Sequence, residues 1–280
     1  MPNEPATGPR LSDADLFTKV IDVTRPGLEG IPAAVARGDF AAARRLFAAE
    51  VRRTLQPERF FRIRRQVRGQ SFMYPNETVA EAAERILRLE LISCSTPHQF
   101  HGQVDWFANP TYNQYREWTW QLNRHPEWAI LAERYRETGD ERYAEGFVRL
   151  FRSWVRQAPV PLDAAGNETL CWRTIEMGIR MGGAWPWALH SFYRSPHFTD
   201  DVLVDWYKSV WEHGWRLRRA HWTHNWLIME MNGLGQIGIL YPQFRDAPAW
   251  KAYAFEKLVE HLGVQVYPDG FQFELSTGYH

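Results

Sequence analysis

Polar residues collect in three otherwise apolar stretches of this chain, and their types limit the chemistry they could perform. In HWTHNW, His221 and His224 stand three apart and could share a helix face as metal ligands. The HExxH arrangement is missing and no third ligand is evident, so the sequence defines no metal site and implies no cofactor. Asn225 beside them reads either as a helix cap or as a buried amide satisfied by backbone. In WRTIEMGIR, Arg173, Glu176 and Arg180 fall at i, i+3 and i+7, and the spacing predicts an ion pair between Arg173 and Glu176. A helix this apolar on its other faces would bury part of that pair, and buried charges need a reason; lining a polar cavity is one. The third stretch, HGQVDWFANPTYNQYREWTWQLNRHPEW, supplies Trp120 and Asn123. Most of the 14 Trp are expected in the core. A minority facing a cleft, with Trp120 and Trp172 as candidates, would present flat faces on which sugar rings stack.

These side chains need helices to position them, and the hydrophobic pattern supplies helices in pairs. Short helical stretches are expected around Pro32 to Arg37 and from Phe40 to Leu55, with a longer one near Val79 to Leu91. Residues 56–77 and 94–115 read as long ordered loops. PEWAILAERYRETGD, opened by Pro126 and closed by Gly139, returns through DERYAEGFVRLFRSWVRQAP. A second pair joins WRTIEMGIRMGGAWPWALHSF to TDDVLVDWYKSVWEHGWRLRR, whose start is capped at Thr199 and Asp200. THNWLIMEMNGLGQIGILY, where Gly233, Gly235 and Gly238 permit close packing, pairs with APAWKAYAFEKLVEHLGVQV. FELSTGYH then begins a further helix, with Ser276 or Thr277 as its cap. Recurrent helical hairpins with little β pattern predict an all-α fold, an incomplete α/α toroid over residues 11–280, preceded by a disordered tail at 1–10. No capping repeat closes the array at its C-terminus, so the chain reads as truncated.

A chain of 280 residues, 45% hydrophobic, buries a sizeable core. Basic and acidic residues balance at 33 each, which gives no global field for nucleic acid. Four of the 33 basic residues are Lys (Lys19, Lys208, Lys251 and Lys257) and the rest Arg, a side chain suited to bidentate recognition of carboxylate and sulfate. Cys94 and Cys171 form no ligand or disulfide pattern. No apolar run approaches a membrane span or a signal peptide, so the chain as written is expected in the cytoplasm, or in the periplasm or outside the cell if a leader has been removed.

The segments DWFANP with REWTWQLNRHPEW, WRTIEMGIR, THNW and YPDGFQFELSTGYH, in that order, resemble the N-terminal domain of the heparinase II/III-like polysaccharide lyases, with the heparinase III branch most similar. The resemblance spans most of residues 104–280. It implies an incomplete α/α toroid followed by a β-sandwich domain that this chain does not reach. It also implies β-elimination at a hexuronic acid: a base removes the C5 proton, the C4–O bond breaks, and a 4,5-unsaturated uronate remains. The adjacent carboxylate must be neutralised as charge develops on it.

On this resemblance Asn225 matches the family's charge-neutralising Asn, and Tyr279 the Tyr that handles protons at the cleaved bond. An amide can bind a carboxylate without protonating it. A phenol of pKa about 10 serves as general acid without any shift. His224 is a secondary candidate for substrate contact, with Arg173, Glu176, Trp120, Asn123, Trp172 and His280. Adjacent helical residues point about 100° apart, so Tyr279 and His280 do not address the same atom. The partner base of several relatives is a His on the β-sandwich domain, which implies that this chain alone is deficient in catalysis. The expected partner is an acidic glycan, heparan-like first and hyaluronan, chondroitin or alginate after it, with no nucleic acid and no membrane. Two readings compete: an inverting glycoside hydrolase using two of Glu176, Glu230 and Glu274, and a carbohydrate-binding module without turnover.

Overall fold

The structure is a computed structural model that describes residues 9–55 and 72–274. Expectations for the tail at 1–8, for most of the loop at 56–77, and for Ser276, Thr277, Tyr279 and His280 fall outside the described residues.

Local sequence signals set the helix ends. A short helix α1 (Asp13–Asp15) runs into a π-helical turn at Leu16–Val20. It is followed by α2 (Ile31–Ala36) and α3 (Phe40–Thr54), the latter capped by Asp39 accepting from the Ala42 amide. Helix α4 (Val79–Leu87) opens on a reciprocal box: Thr78 accepts from the Glu81 amide while Glu81 accepts from that of Thr78. It ends earlier than its apolar pattern, because Leu89 adopts a left-handed conformation (φ 64°) that turns the chain into a β-hairpin. Strands β1 (Glu90–Ser93) and β2 (Thr96–Gln99) pair antiparallel across Cys94 and Ser95, both at positive φ. That two-residue turn without Gly or Asn is why the sequence read this stretch as loop.

The regular part comprises α5 (Glu117–Leu122), α6 (Pro126–Thr138), α7 (Glu141–Gln157), α8 (Thr174–Met181), α9 (Ala184–Phe192), α10 (Asp200–Ala220), α11 (His224–Leu240) and α12 (Ala247–Gln265). Pro126 starts α6, and Gly139, at φ 69°, closes it by donating to the Tyr135 carbonyl. On α7 the buried residues Tyr143, Ala144, Phe147, Leu150, Phe151 and Trp154 recur at helical spacing. The stretch expected as one helix from 172 to 192 is two, α8 and α9, separated at Gly182 and Gly183. Thr199 caps α10 by accepting from the Val202 amide. The result is all-α apart from the hairpin, the expected array of helical hairpins in an incomplete α/α toroid.

Its centre is aromatic. Trp128, Trp154, Trp185 and Trp206, contributed by α6, α7, α9 and α10, are fully buried together with Phe147 and Phe151. The His125 ring stacks on Trp128 at 3.9 Å and accepts the Trp185 indole N–H at 2.8 Å. Burial of a large apolar side chain contributes roughly 1.5–3 kcal/mol, so this cluster anchors the hairpins to one another. The N-terminal segment joins the same body: Arg10 donates to the Val160 carbonyl, the Leu11 amide to Glu212, and Ile21 bridges to Phe244.

Candidate active site

Helices α8 and α11 meet at glycines. A Cβ on Gly178 would lie 2.4 Å from the Met229 carbonyl oxygen and 2.7 Å from the Glu230 Cα, and one on Gly233 2.7 Å from the Gly178 Cα. Only backbone-to-backbone contact fits there. It sets the start of α8 beside the first turns of α11. The loop leading to α8 is fixed from beneath by Arg216, buried on α10, which donates to the carbonyls of Trp172, Ala164 and Ala165 at 3.0–3.1 Å. The Thr174 amide closes the loop onto the Gly166 carbonyl at 2.9 Å.

Arg173 emerges from that loop into a network of charges. Its Nε and Nη2 donate to Glu176 at 2.6 and 2.7 Å, the pair expected from spacing, and its terminal nitrogens also reach Glu117 at 3.1 Å. Arg124 completes the network from the end of α5, donating to Glu176 Oε1 from Nε at 3.2 Å and Nη2 at 2.9 Å. Glu176 is fully buried, so two guanidiniums on one carboxylate are what makes its charge tolerable there. Burial works against the charge on Arg173, but Glu176 and Glu117 outweigh it and raise its pKa above the ordinary value. Its guanidinium lies 3.6 Å from the centre of the Trp120 ring and 5.1 Å from that of Trp226. Arg116 lies over Trp120 as well, at 5.0 Å, and the Trp120 indole N–H is held by the Thr169 carbonyl. Arg124 and Glu117 lie within the quoted sequence segments without an assigned role; each reaches the Arg173–Glu176 pair across more than 50 residues, a distance at which spacing gives no signal.

Next to this wall α11 begins. Thr223 is the residue before the helix and makes no side-chain cap, so Asn225 is not the cap either; it lies half-buried in the first turn. His224 is exposed and sits at φ 56°, with its ring 5.6 Å from that of Phe273. His221 is engaged with the Tyr253 hydroxyl at 2.7 Å, so the two histidines turn to different partners. Among the described residues no group of His, Cys, Asp and Glu could hold a metal ion. A turn at Asp269 and Gly270, closed by the Tyr267 amide on the Phe271 carbonyl, brings Phe273 back onto this end of α11. Glu230 is buried one to two turns further along and accepts the Trp222 amide at 2.7 Å. Its pKa is pushed up to about 7, chiefly by burial and further by the charge of Glu176.

Two expected substrate contacts are corrected by their surroundings. Asn123 is buried and its amide is spent: Nδ2 donates to the carbonyls of Trp106 and Thr119, and Oδ1 accepts from Trp154. Trp172 is likewise in the core, with its indole N–H on the Ala158 carbonyl. Arg180, in the same sequence motif as Arg173, points into the aromatic centre. The site that remains is a wall of two aromatic faces and two guanidiniums leading to the N-terminal turn of α11. Such a wall suits an anionic, ring-shaped ligand, and the helix terminus adds a field that favours negative charge.

Residues 16–280 match the family model described as Heparinase II/III N-terminus. The chain is 27% identical over 272 residues to a heparin-sulfate lyase of Pedobacter heparinus, covering 93% of this chain and 39% of that protein. It is 25% identical over 289 residues to a heparin-sulfate lyase of Bacteroides thetaiotaomicron, covering 96% of this chain and 38% of the relative. The crystal structure of heparan sulfate lyase HepC from Pedobacter heparinus superposes with a TM-score of 0.78 at 27% identity, over 96% of this chain and 42% of that one. The chain thus spans about two fifths of the length of these relatives.

Proposed function

The chain belongs to the heparinase II/III family through the N-terminal domain that its residues 16–280 match, and from that premise we propose that it is the toroid part of a polysaccharide lyase. Its substrate is a uronic-acid-containing glycan of the heparin or heparan sulfate type, cleaved by β-elimination. The observation that carries this reading is the wall of Trp120, Arg173, Arg124 and Trp226 that ends one residue from Asn225.

In the proposed reaction the sugar rings lie along the aromatic faces while Arg124, which keeps part of its surface in solvent, meets carboxylate or sulfate and the buried Arg173 adds its charge to the wall. The Asn225 amide donates to the uronate carboxylate, most strongly as removal of the C5 proton drives charge onto it. The electron pair of that C–H bond forms the C4–C5 double bond, the C4–O bond breaks, and Tyr279 delivers a proton to the departing oxygen. A base from a second domain, of the kind the family resemblance implies, completes the site. The hydrolase alternative fits less well, because both oxygens of Glu176 are taken by guanidiniums.

The test is incubation of the protein that carries this domain with a panel of uronate polysaccharides while following the ultraviolet absorbance of the new double bond. Absorbing products from a heparan-type polymer, formed far more slowly by Asn225→Ala, are expected. New reducing ends without that absorbance would establish hydrolysis instead, and binding without product a carbohydrate-binding module.

A further inference from the structure

The entry to α11 carries backbone strain. His224, the first residue of the helix, lies in the left-handed region at φ 56°, where a residue with a Cβ is held only if its surroundings compel it. The usual device is missing, since the Thr223 side chain makes no cap. Two buried side chains, one further along α11 and one at the end of α12, hold the turn on both sides. The Trp222 amide donates to Glu230 Oε2 at 2.7 Å, and the His224 carbonyl accepts from Gln265 Nε2, on the last residue of α12, also at 2.7 Å. Glu230 is fully buried and Gln265 nearly so. Both are anchored: Glu230 at the glycine contact with α8, Gln265 by accepting the Phe273 amide at its carbonyl.

We propose that Glu230 and Gln265 are positioning residues that clamp the left-handed turn at His224 and thereby aim the Asn225 amide at the substrate carboxylate. Neither touches substrate; each acts through the backbone on one side of Asn225. Holding a donor in place before reaction is where such devices gain rate, and a displacement of about 1 Å at a reacting group costs on the order of 100-fold. The inference rests on the assignment of Asn225 made above, and its test separates the two.

Gln265→Glu keeps the shape but sets an acceptor against the His224 carbonyl, while Glu230→Leu removes the acceptor for the Trp222 amide. In the protein that carries this domain, each is expected to lower kcat by roughly 10- to 100-fold with little change in KM. Glu230→Gln, which still offers an oxygen to that amide, restores most of the rate. In an Asn225→Ala background, Gln265→Glu costs nothing further, because its effect passes through the missing amide. If Asn225→Ala leaves kcat intact, the catalytic assignment falls and the clamp with it. If Asn225→Ala cuts kcat to a small but measurable residual rate while Gln265→Glu leaves kcat unchanged, or lowers that residual rate by the same factor as it lowers the parent rate, the clamp alone is overturned. Should Glu230→Leu fail to fold, Gln265→Glu and the double variant decide.

Discussion

Arg180 and Arg173 lie seven residues apart on one helical motif, both against tryptophan rings, yet they belong to different kinds of environment. Arg180 is fully buried in the aromatic centre, 4.7 Å from the Trp154 ring and 5.2 Å from that of Trp172. Its hydrogen bonds go to neutral groups: His213 at 2.7 Å and the carbonyls of Asn123 and Cys171 at 2.9 and 2.7 Å. Burial lowers its pKa to about 9. Arg173 meets two carboxylates and a half-buried Trp120, and its pKa is raised. A guanidinium on a tryptophan face is therefore no mark of a site. What distinguishes the rim is that the cations there are balanced by carboxylates, beside the rings of Trp120 and Trp226, which are only half-buried.

That contrast is open to attack by mutation, and the largest effect is expected at the centre. Arg180→Met strands two buried carbonyls and the His213 nitrogen. The expected loss is about 3–5 kcal/mol in urea unfolding, or no folded protein at all. Arg173→Met leaves Glu176 with Arg124, so its cost is about 1–2 kcal/mol, and the main loss is in affinity for an anionic glycan. Equal stability losses for the two variants would erase the distinction between centre and rim.

A tryptophan pair sharpens the same contrast. Trp172→Ala opens a cavity in the core and is expected to cost about 3–5 kcal/mol of stability. Trp120→Ala should cost clearly less stability, and weaken oligosaccharide binding by about 1 kcal/mol in calorimetric titration. Unaltered binding in a folded Trp120→Ala protein would remove that ring from the site.

The hairpins were legible because period and punctuation agree: Asp140 and Thr199 at caps, Gly139 at a helix end, apolar residues every three to four positions along α7. The Arg173–Glu176 pair followed from i, i+3 spacing alone. The division of α8 from α9 at two glycines, and a turn at Cys94 and Ser95 without the residues that usually announce one, were hidden by continuous patterning. Asn123 and Trp172 looked like site residues because sequence shows polarity and ring size, whereas tertiary packing decides which side of a loop they take. Arg124 joins Glu176 from 52 residues away, a distance at which spacing rules say nothing.

Buried carboxylates supply the smallest test, one that reads the two regions through pH. Glu127, in the first turn of α6 beside the aromatic centre, is buried and makes no ion pair among the described residues, and burial pushes its pKa up to about 8. Glu176, equally buried at the rim, is held by Arg124 and Arg173. A carboxyl whose folded pKa is raised keeps its proton more tightly in the native state, so native protein binds more protons than unfolded protein between the two pKa values. Stability therefore falls as pH rises from the unfolded value, about 4.5, to about 8, and this group adds no further slope beyond. The ceiling is about 1.4 kcal/mol per pH unit, and about 1 kcal/mol between pH 6.5 and 7.5 is a realistic share. Glu127→Gln removes the titration, so its stability relative to the parent chain should improve by that amount over the interval in urea unfolding at matched ionic strength. Glu176→Gln should instead destabilise the fold, since it strands two guanidiniums that need its charge. Parallel pH profiles for the parent and Glu127→Gln would show that the centre accommodates an ionised Glu127, and the contrast with the charge-balanced rim would then rest on Arg180 alone.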